Sequence, residues 1–207
     1  MKTINLKTYQ LYDFLPSGNC YKIRLLLNQL GIDYERINVD LLKKESRTPE
    51  FLKINPNGRT PVLYHDGRYL AESNAILWYL AVNTHFLPKG NYEQALVLQW
   101  MFFEQFSHEP NIATPRYWIS ILKAEDEYKE QLKVKMKLGY AALDVMEQHL
   151  ADNSYFVGNQ YSIADIALYA YTHVADEGNF DLSGYSRINE WLKRIESQEN
   201  YLKICVS

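Results

Sequence analysis

Residues 9–31 read YQLYDFLPSGNCYKIRLLLNQLG, and the order of signals in this stretch decides the fold. Tyr9 to Phe14 has the composition of a strand, LPSGN is built from turn formers, and Ile23, Leu26, Leu27 and Leu30 then recur at helical spacing. Gly31 is the expected stop, because glycine takes the left-handed conformation that closes a helix at little steric cost. The segment YERINVDL (34–41) alternates like a half-buried strand. Two strands joined through a helix must run parallel, so the chain opens as an α/β unit.

Outward from that unit, TPEFLKI (48–54) predicts a short helix and NPNGRTPVLY (55–64) leads into a third strand at Val62–Tyr64. HDGR (65–68) is a hairpin turn and YLA (69–71) a fourth strand antiparallel to the third. SNAILWYLAVN then starts a helix with Ser73 as a good N-cap. The order βαβ, short helix, ββα is the thioredoxin-like order. Past HFLPKGNYEQ strand signals stop. Leu132, Met136, Gly139, Leu143, Met146 and Leu150 mark one face of a long helix, with Gly139 suited to close helix approach. SIADIALYAY and WLKRIESQ predict two more helices. The expected fold class is therefore a thioredoxin-like α/β domain over residues 1–83, a linker at 84–91 and an all-helical domain over 92–207.

Bulk properties narrow the function. The 207 residues carry a net charge of −3, and the 22 basic residues form no run or stripe, which argues against nucleic acid and anionic membrane as partners. No segment approaches the roughly 18 apolar residues of a membrane span, and the N-terminus lacks a signal-peptide core, so the expected location is cytoplasmic. Cys20 and Cys205 form no CxxC pair and the five histidines have no ligand spacing, so no metal is expected. GNQYSIAD contains a capping box, Ser162 with Asp165, whose role is in folding.

Four motifs in fixed order, SGNCYKIRL, NPNGRTPVL, ESNAI and GNQYSIAD, resemble the cytosolic glutathione transferase family over nearly the whole chain. Ser17 stands 14 residues before Gly31, where bacterial serine-type (theta- and zeta-like) members have their catalytic serine. The resemblance implies that Ser17 holds the sulfur of glutathione, the co-substrate, as a thiolate. An ordinary thiol, with a pKa of about 8.5, is mostly protonated at neutral pH. Lowering that pKa by about two units needs about 2.7 kcal/mol, and one hydrogen bond to a charged group supplies roughly 1.5 to 3. Tyr12 is the rival, similar to the catalytic residue of tyrosine-type members, and Asn19 is a supporting amide. Cysteine-type members have their nucleophile where Asn19 stands, which leaves Cys20 as a small buried residue.

The same resemblance makes Thr60, before an expected cis Pro61, a backbone partner of the cysteinyl group. It sets Arg59, and less firmly Lys44 and Arg47, near the glycine carboxylate. Glu72 and Ser73 would read the γ-glutamyl ammonium and carboxylate at a helix start. Phe103, Phe106 and Tyr117, from an aromatic-rich region, are the candidates for lining a hydrophobic substrate pocket. The implied activity is conjugation of glutathione to small electrophiles, a detoxification reaction carried out by a homodimer. Glutathione-dependent peroxidase or disulfide reductase activity, or a non-catalytic interaction module, are the alternatives.

Overall fold

The structure is a computed structural model that describes residues 9–205, and the chain divides into two compact units. The first runs to Leu80 and includes the C-terminal stretch from Glu199; the second spans Ala81–Gln198.

In the first unit β1 (Tyr9–Asp13), α1 (Gly18–Gln29) and β2 (Tyr34–Asn38) form the expected crossover unit, with β1 and β2 parallel. A short 3-10 turn at Glu45–Arg47 precedes α2 (Pro49–Ile54), and β3 (Val62–His65) and β4 (Arg68–Ala71) form the hairpin before α3 (Ser73–Ala81). The sheet order is β2-β1-β3-β4, with β3 antiparallel to both neighbours. Asp66 and Gly67 both have positive φ, the geometry a two-residue hairpin turn requires.

Alternation along β1 sends Leu11 and Asp13 to one face and Tyr12 to the other. Asp13 is fully buried and pairs with the equally buried Arg24 of α1 at 2.5 Å, while Arg36 of β2 approaches its other oxygen at 3.2 Å. Tyr12 packs against a hydrophobic cluster of Val39, Phe51 and Val62.

The C-terminal stretch was expected to belong with the helical half, yet α1 gathers it through backbone carbonyls. Asn28 Nδ2 donates to Asn200 O at 2.7 Å, Tyr21 Oη to Leu202 O at 2.5 Å, and Arg24 Nη2 to Ile204 O at 2.7 Å.

The second unit is helical: α4 (Asn91–Phe103), α5 (Glu109–Arg116), α6 (Lys129–Asp152), α7 (Ile163–Thr172) and α8 (Ser186–Glu196). Between α4 and α6 the chain widens into π-helical turns at Glu104–His108 and Tyr117–Ile121. Pro110 and Pro115 explain the break, since neither can donate a backbone N–H to the preceding turn. A Cβ on Gly139 would meet the Phe180 ring at 2.5 Å and Asn111 O at 3.0 Å, so this glycine does allow the close approach. All ten residues of α7 are buried. Its capping box is in place, with Ala164 N donating to Ser162 Oγ at 3.3 Å and Ser162 N to Asp165 Oδ2 at 2.9 Å. Asp165 also accepts from Phe156 N and Trp191 Nε1, so it ties α7 to α8 as well as capping it.

The buried Asp165 and the half-buried His173 of this helical region titrate with opposite signs. Burial pushes His173 down to about 4, below its unfolded value near 6.5, so its contribution to stability is lost as pH falls from about 6.5 toward 4. Burial raises Asp165 to about 6, so its contribution is lost as pH rises from about 4 to 6, and the two oppose each other there. Just above that window His173 dominates among the described residues with a shift, and His149, also lowered by burial, adds the same sign. The melting temperature should therefore fall as pH drops from about 7.5 to about 6, and His173→Gln should remove most of that slope. An unchanged slope in melts of the variant would place its origin elsewhere.

Candidate functional site

The turn between β1 and α1 is closed by Ser17 N donating to Phe14 O at 2.8 Å. Ser17 is the N-cap of α1, and its Oγ accepts from Cys20 N at 3.3 Å. Capping uses the hydroxyl as an acceptor, so its proton is still available for donation. The residue is half-buried. It sits where the first-turn N–H groups of a helix favour negative charge, with no acidic residue in that turn.

Cys20 is fully buried behind Ser17, with Phe14 N at 3.4 Å from its sulfur. Burial, reinforced by the Asp13 carboxylate, pushes this thiol up to about 12 against the hydrogen bond from Phe14 N. A thiol held in its protonated form is no nucleophile.

Beyond β1 and α1, the residues that the sequence singled out in the first unit lie on the 44–60 segment and at the start of α3. The Thr60–Pro61 bond is cis. Asn55 Nδ2 holds the carbonyl of the exposed Arg59 at 2.8 Å. Arg47 Nη1 donates to Asn57 O at 3.0 Å, and Asn57 Nδ2 reaches Glu72 Oε1 at 3.5 Å, so the loop before Thr60 is tied to the start of α3. Gly58 makes this possible, since a Cβ there would meet Arg47 Nη1 at 2.6 Å and Ser46 O at 2.9 Å. Lys44 is exposed, with left-handed backbone.

Glu72 is exposed and has φ +70, a conformation few non-glycine residues adopt, so backbone strain is localised at the residue that precedes α3. Ser73 is buried beside it, and its Oγ donates to Asn19 Oδ1 at 3.2 Å. Ser17, Asn19 and Ser73 therefore share one polar neighbourhood at the N-terminal ends of α1 and α3.

Tyr12 is on the other face of the sheet from Asp13 and α1, edge-on to Phe51 and Tyr69 at 6.1 and 6.0 Å. Burial, with Tyr69 adding, raises its phenol to about 12. Tyr12→Phe is expected to move the pKa of a bound thiol by less than about half a unit, read by titrating thiolate absorbance. A rise above about half a unit would make Tyr12 the donor.

In the second unit Phe103 leans edge-on against Trp100 at 5.3 Å, while Phe106 and Tyr117 are 86% and 36% exposed within the two π-helical turns. Sequence reasoning missed two residues that hydrogen-bond to the start of α3, the buried Lys22, whose Nζ is 3.3 Å from Ser73 Oγ, and Asn57. The only local trace of Asn57 is its place in the NPNG turn. Among the described residues no group of three His, Cys, Asp or Glu side chains is arranged to hold a metal ion, and no helix is long and apolar enough to cross a membrane.

The model of the glutathione S-transferase N-terminal domain matches residues 7–82, and that of the C-terminal domain residues 77–199. The chain belongs to the glutathione S-transferase family. This family member is 33% identical to the disulfide-bond oxidoreductase YfcG of Escherichia coli, with 89% of each chain covered. It superposes on a glutathione S-transferase from Pseudomonas fluorescens with a TM-score of 0.93, at 50% identity over 95% of this chain and 98% of that one. A glutathione transferase homologue from Lodderomyces elongisporus, solved with two glutathione molecules per subunit, gives a TM-score of 0.83 at 27% identity, over 94% of this chain and 96% of that one.

Proposed function

We propose that this transferase-family member binds glutathione on its first unit and activates it as a thiolate for attack on a small hydrophobic electrophile. The observation that carries this is Ser17, an N-cap whose oxygen is engaged by Cys20 N while its proton can be donated. The thiol proton leaves to solvent, the sulfur lone pair forms the new bond to the electrophile, and the bond to the leaving group or the polarised double bond breaks. Ser17 donates throughout and is not consumed, which is the pattern of a serine-type member. Asn19, Thr60, Arg59, Glu72 and Ser73 hold the peptide in this proposal, with Lys44 and Arg47 at the glycine end. Phe103, Phe106 and Tyr117 are proposed to meet the electrophile, and the active form is proposed to be a homodimer in the cytoplasm.

Glutathione-affinity capture followed by conjugation assays over a panel of electrophiles tests this. Failure to bind at millimolar glutathione would turn the assignment to the interaction module. The relationship to the Escherichia coli oxidoreductase favours one second reading, reduction of disulfides. There the glutathione thiolate attacks one sulfur of the substrate disulfide, forms a mixed disulfide and expels the other sulfur as a thiolate, which takes up a proton. The high pKa of Cys20 is consistent with glutathione, not this cysteine, supplying the nucleophile. Turnover of a mixed-disulfide substrate without turnover of electrophiles would select this reading, and turnover of hydroperoxides the peroxidase one.

A further inference from the structure

We infer that Arg24 is a positioning residue for Ser17: its guanidinium fixes the turn that presents the hydroxyl, and the C-terminal stretch holds that guanidinium in place. The inference rests on the glutathione reading above, and every contact it uses lies inside the first unit. Arg24 is on α1 and fully buried. Long side chains on a helix point back over the preceding turn, which carries this one toward the connection between β1 and α1. There Nη1 donates to Asp13 Oδ1 at 2.5 Å, and Nη2 donates to two carbonyls, Leu15 O at 2.9 Å and Ile204 O at 2.7 Å. An ion pair with Asp13 would need only one nitrogen. The second commits both of its protons to backbone, one on the turn and one on the C-terminal stretch.

The carbonyl of Leu15 belongs to the peptide that enters Pro16. Holding that oxygen sets the peptide plane, the proline ring sets the next φ at about −65°, and Ser17 N donating to Phe14 O at 2.8 Å closes the turn. Little rotation is left between the guanidinium and the Ser17 backbone. Cys20, one turn before Arg24 on the same face of α1, holds the other end of the turn, its sulfur accepting from Phe14 N at 3.4 Å. The guanidinium is itself braced. Tyr21 Oη donates to Leu202 O at 2.5 Å and Asn28 Nδ2 to Asn200 O at 2.7 Å, so the stretch that brings Ile204 O to Arg24 is docked on α1 at two further points. A planar fork serves acceptors on three sides at once, where a lysine ammonium has a single nitrogen for them. Misplacing a group that acts on the reacting atom by about 1 Å costs up to about a hundredfold in rate, so a turn braced in this way bears directly on the thiolate.

Two variants test this. Arg24→Lys keeps the charge opposite Asp13 and gives up the fork. Asp13→Leu with Arg24→Met removes equal and opposite charges, so the net charge near the bound thiol is unchanged while the link to Leu15 is gone, and it leaves no unpaired ion to unfold the chain if Arg24→Lys folds poorly. In each, the pKa of the bound glutathione thiol, titrated by thiolate absorbance, should rise by about half a unit to one unit. Affinity for S-methylglutathione, which has no thiol to ionise, should stay within about twofold. Because Arg24 acts through one hydroxyl, the rise should vanish when the same changes are made in a Ser17→Ala background, whereas two independent effects would add. An unchanged thiol pKa in a folded variant, or a rise that survives the loss of Ser17, overturns the inference and leaves the glutathione reading standing. An unaltered chain that binds neither glutathione nor S-methylglutathione at millimolar concentration overturns both.

Discussion

Replacing Asp13 by Ala is expected to destabilise the first unit by about 3 to 5 kcal/mol, the cost of leaving a buried charge without its partner. Asp13 and Arg24 have fully buried side chains, and one carboxylate oxygen faces Arg24 while the other faces Arg36. Removing the carboxylate leaves the Arg24 guanidinium with only carbonyl partners in this network, Leu15 O at 2.9 Å and Ile204 O at 2.7 Å. Because Arg24 also holds the C-terminal stretch, the loss should be accompanied by faster hydrogen exchange from residue 199 onward. Equilibrium urea unfolding measures the stability change, and a loss under about 1 kcal/mol would show that water or Arg36 replaces the lost charge. The paired substitution Asp13→Leu with Arg24→Met should recover much of the stability, since removing both charges leaves no unpaired ion behind.

Ser17→Ala should raise the pKa of the bound glutathione thiol by about one to two units and lower kcat/KM near neutral pH about ten- to hundredfold. Binding of glutathione should change little, because the contacts proposed for Thr60, Glu72 and Ser73 remain. The variant also loses the α1 cap, which costs about 0.5 to 2 kcal/mol, so activity and stability fall together and need to be separated. Ser17→Asp does this. Aspartate caps a helix as well as serine does, but its charge opposes a neighbouring thiolate. It should restore the melting temperature and abolish turnover. An unchanged thiol pKa in Ser17→Ala would remove Ser17 from the mechanism and leave it as a helix cap.

The parts of the fold legible in the sequence are those made by near neighbours. The LPSGN turn, the Asp66–Gly67 hairpin and the Ser162–Asp165 capping box each depend on residues within a few positions, so residue type and spacing are enough to predict them. Lys22 and Arg24 were illegible for the opposite reason. On a helix such side chains ordinarily point to solvent, and their burial depends on Asp13, on Ser73 and on a C-terminal stretch that begins far along the chain. That stretch has no pattern of its own, because it is held by backbone carbonyls, which every residue carries. The π-helical turns at Glu104–His108 and Tyr117–Ile121 were not legible, because a proline removes a backbone donor without setting the form of the turn beside it.

By itself the sequence determined the order of strands and helices, the change to an all-helical second half, and Ser17 as the residue at the mouth of α1, because local periodicity and turn chemistry encode these. The tertiary structure alone decided that Tyr12 turns away from α1, that Cys20 is sealed as a thiol, and that a buried lysine stands behind Ser73. Each of those depends on which face of the sheet or helix meets a distant segment, and the accessibility and charge environment of a side chain exist only after that segment has packed.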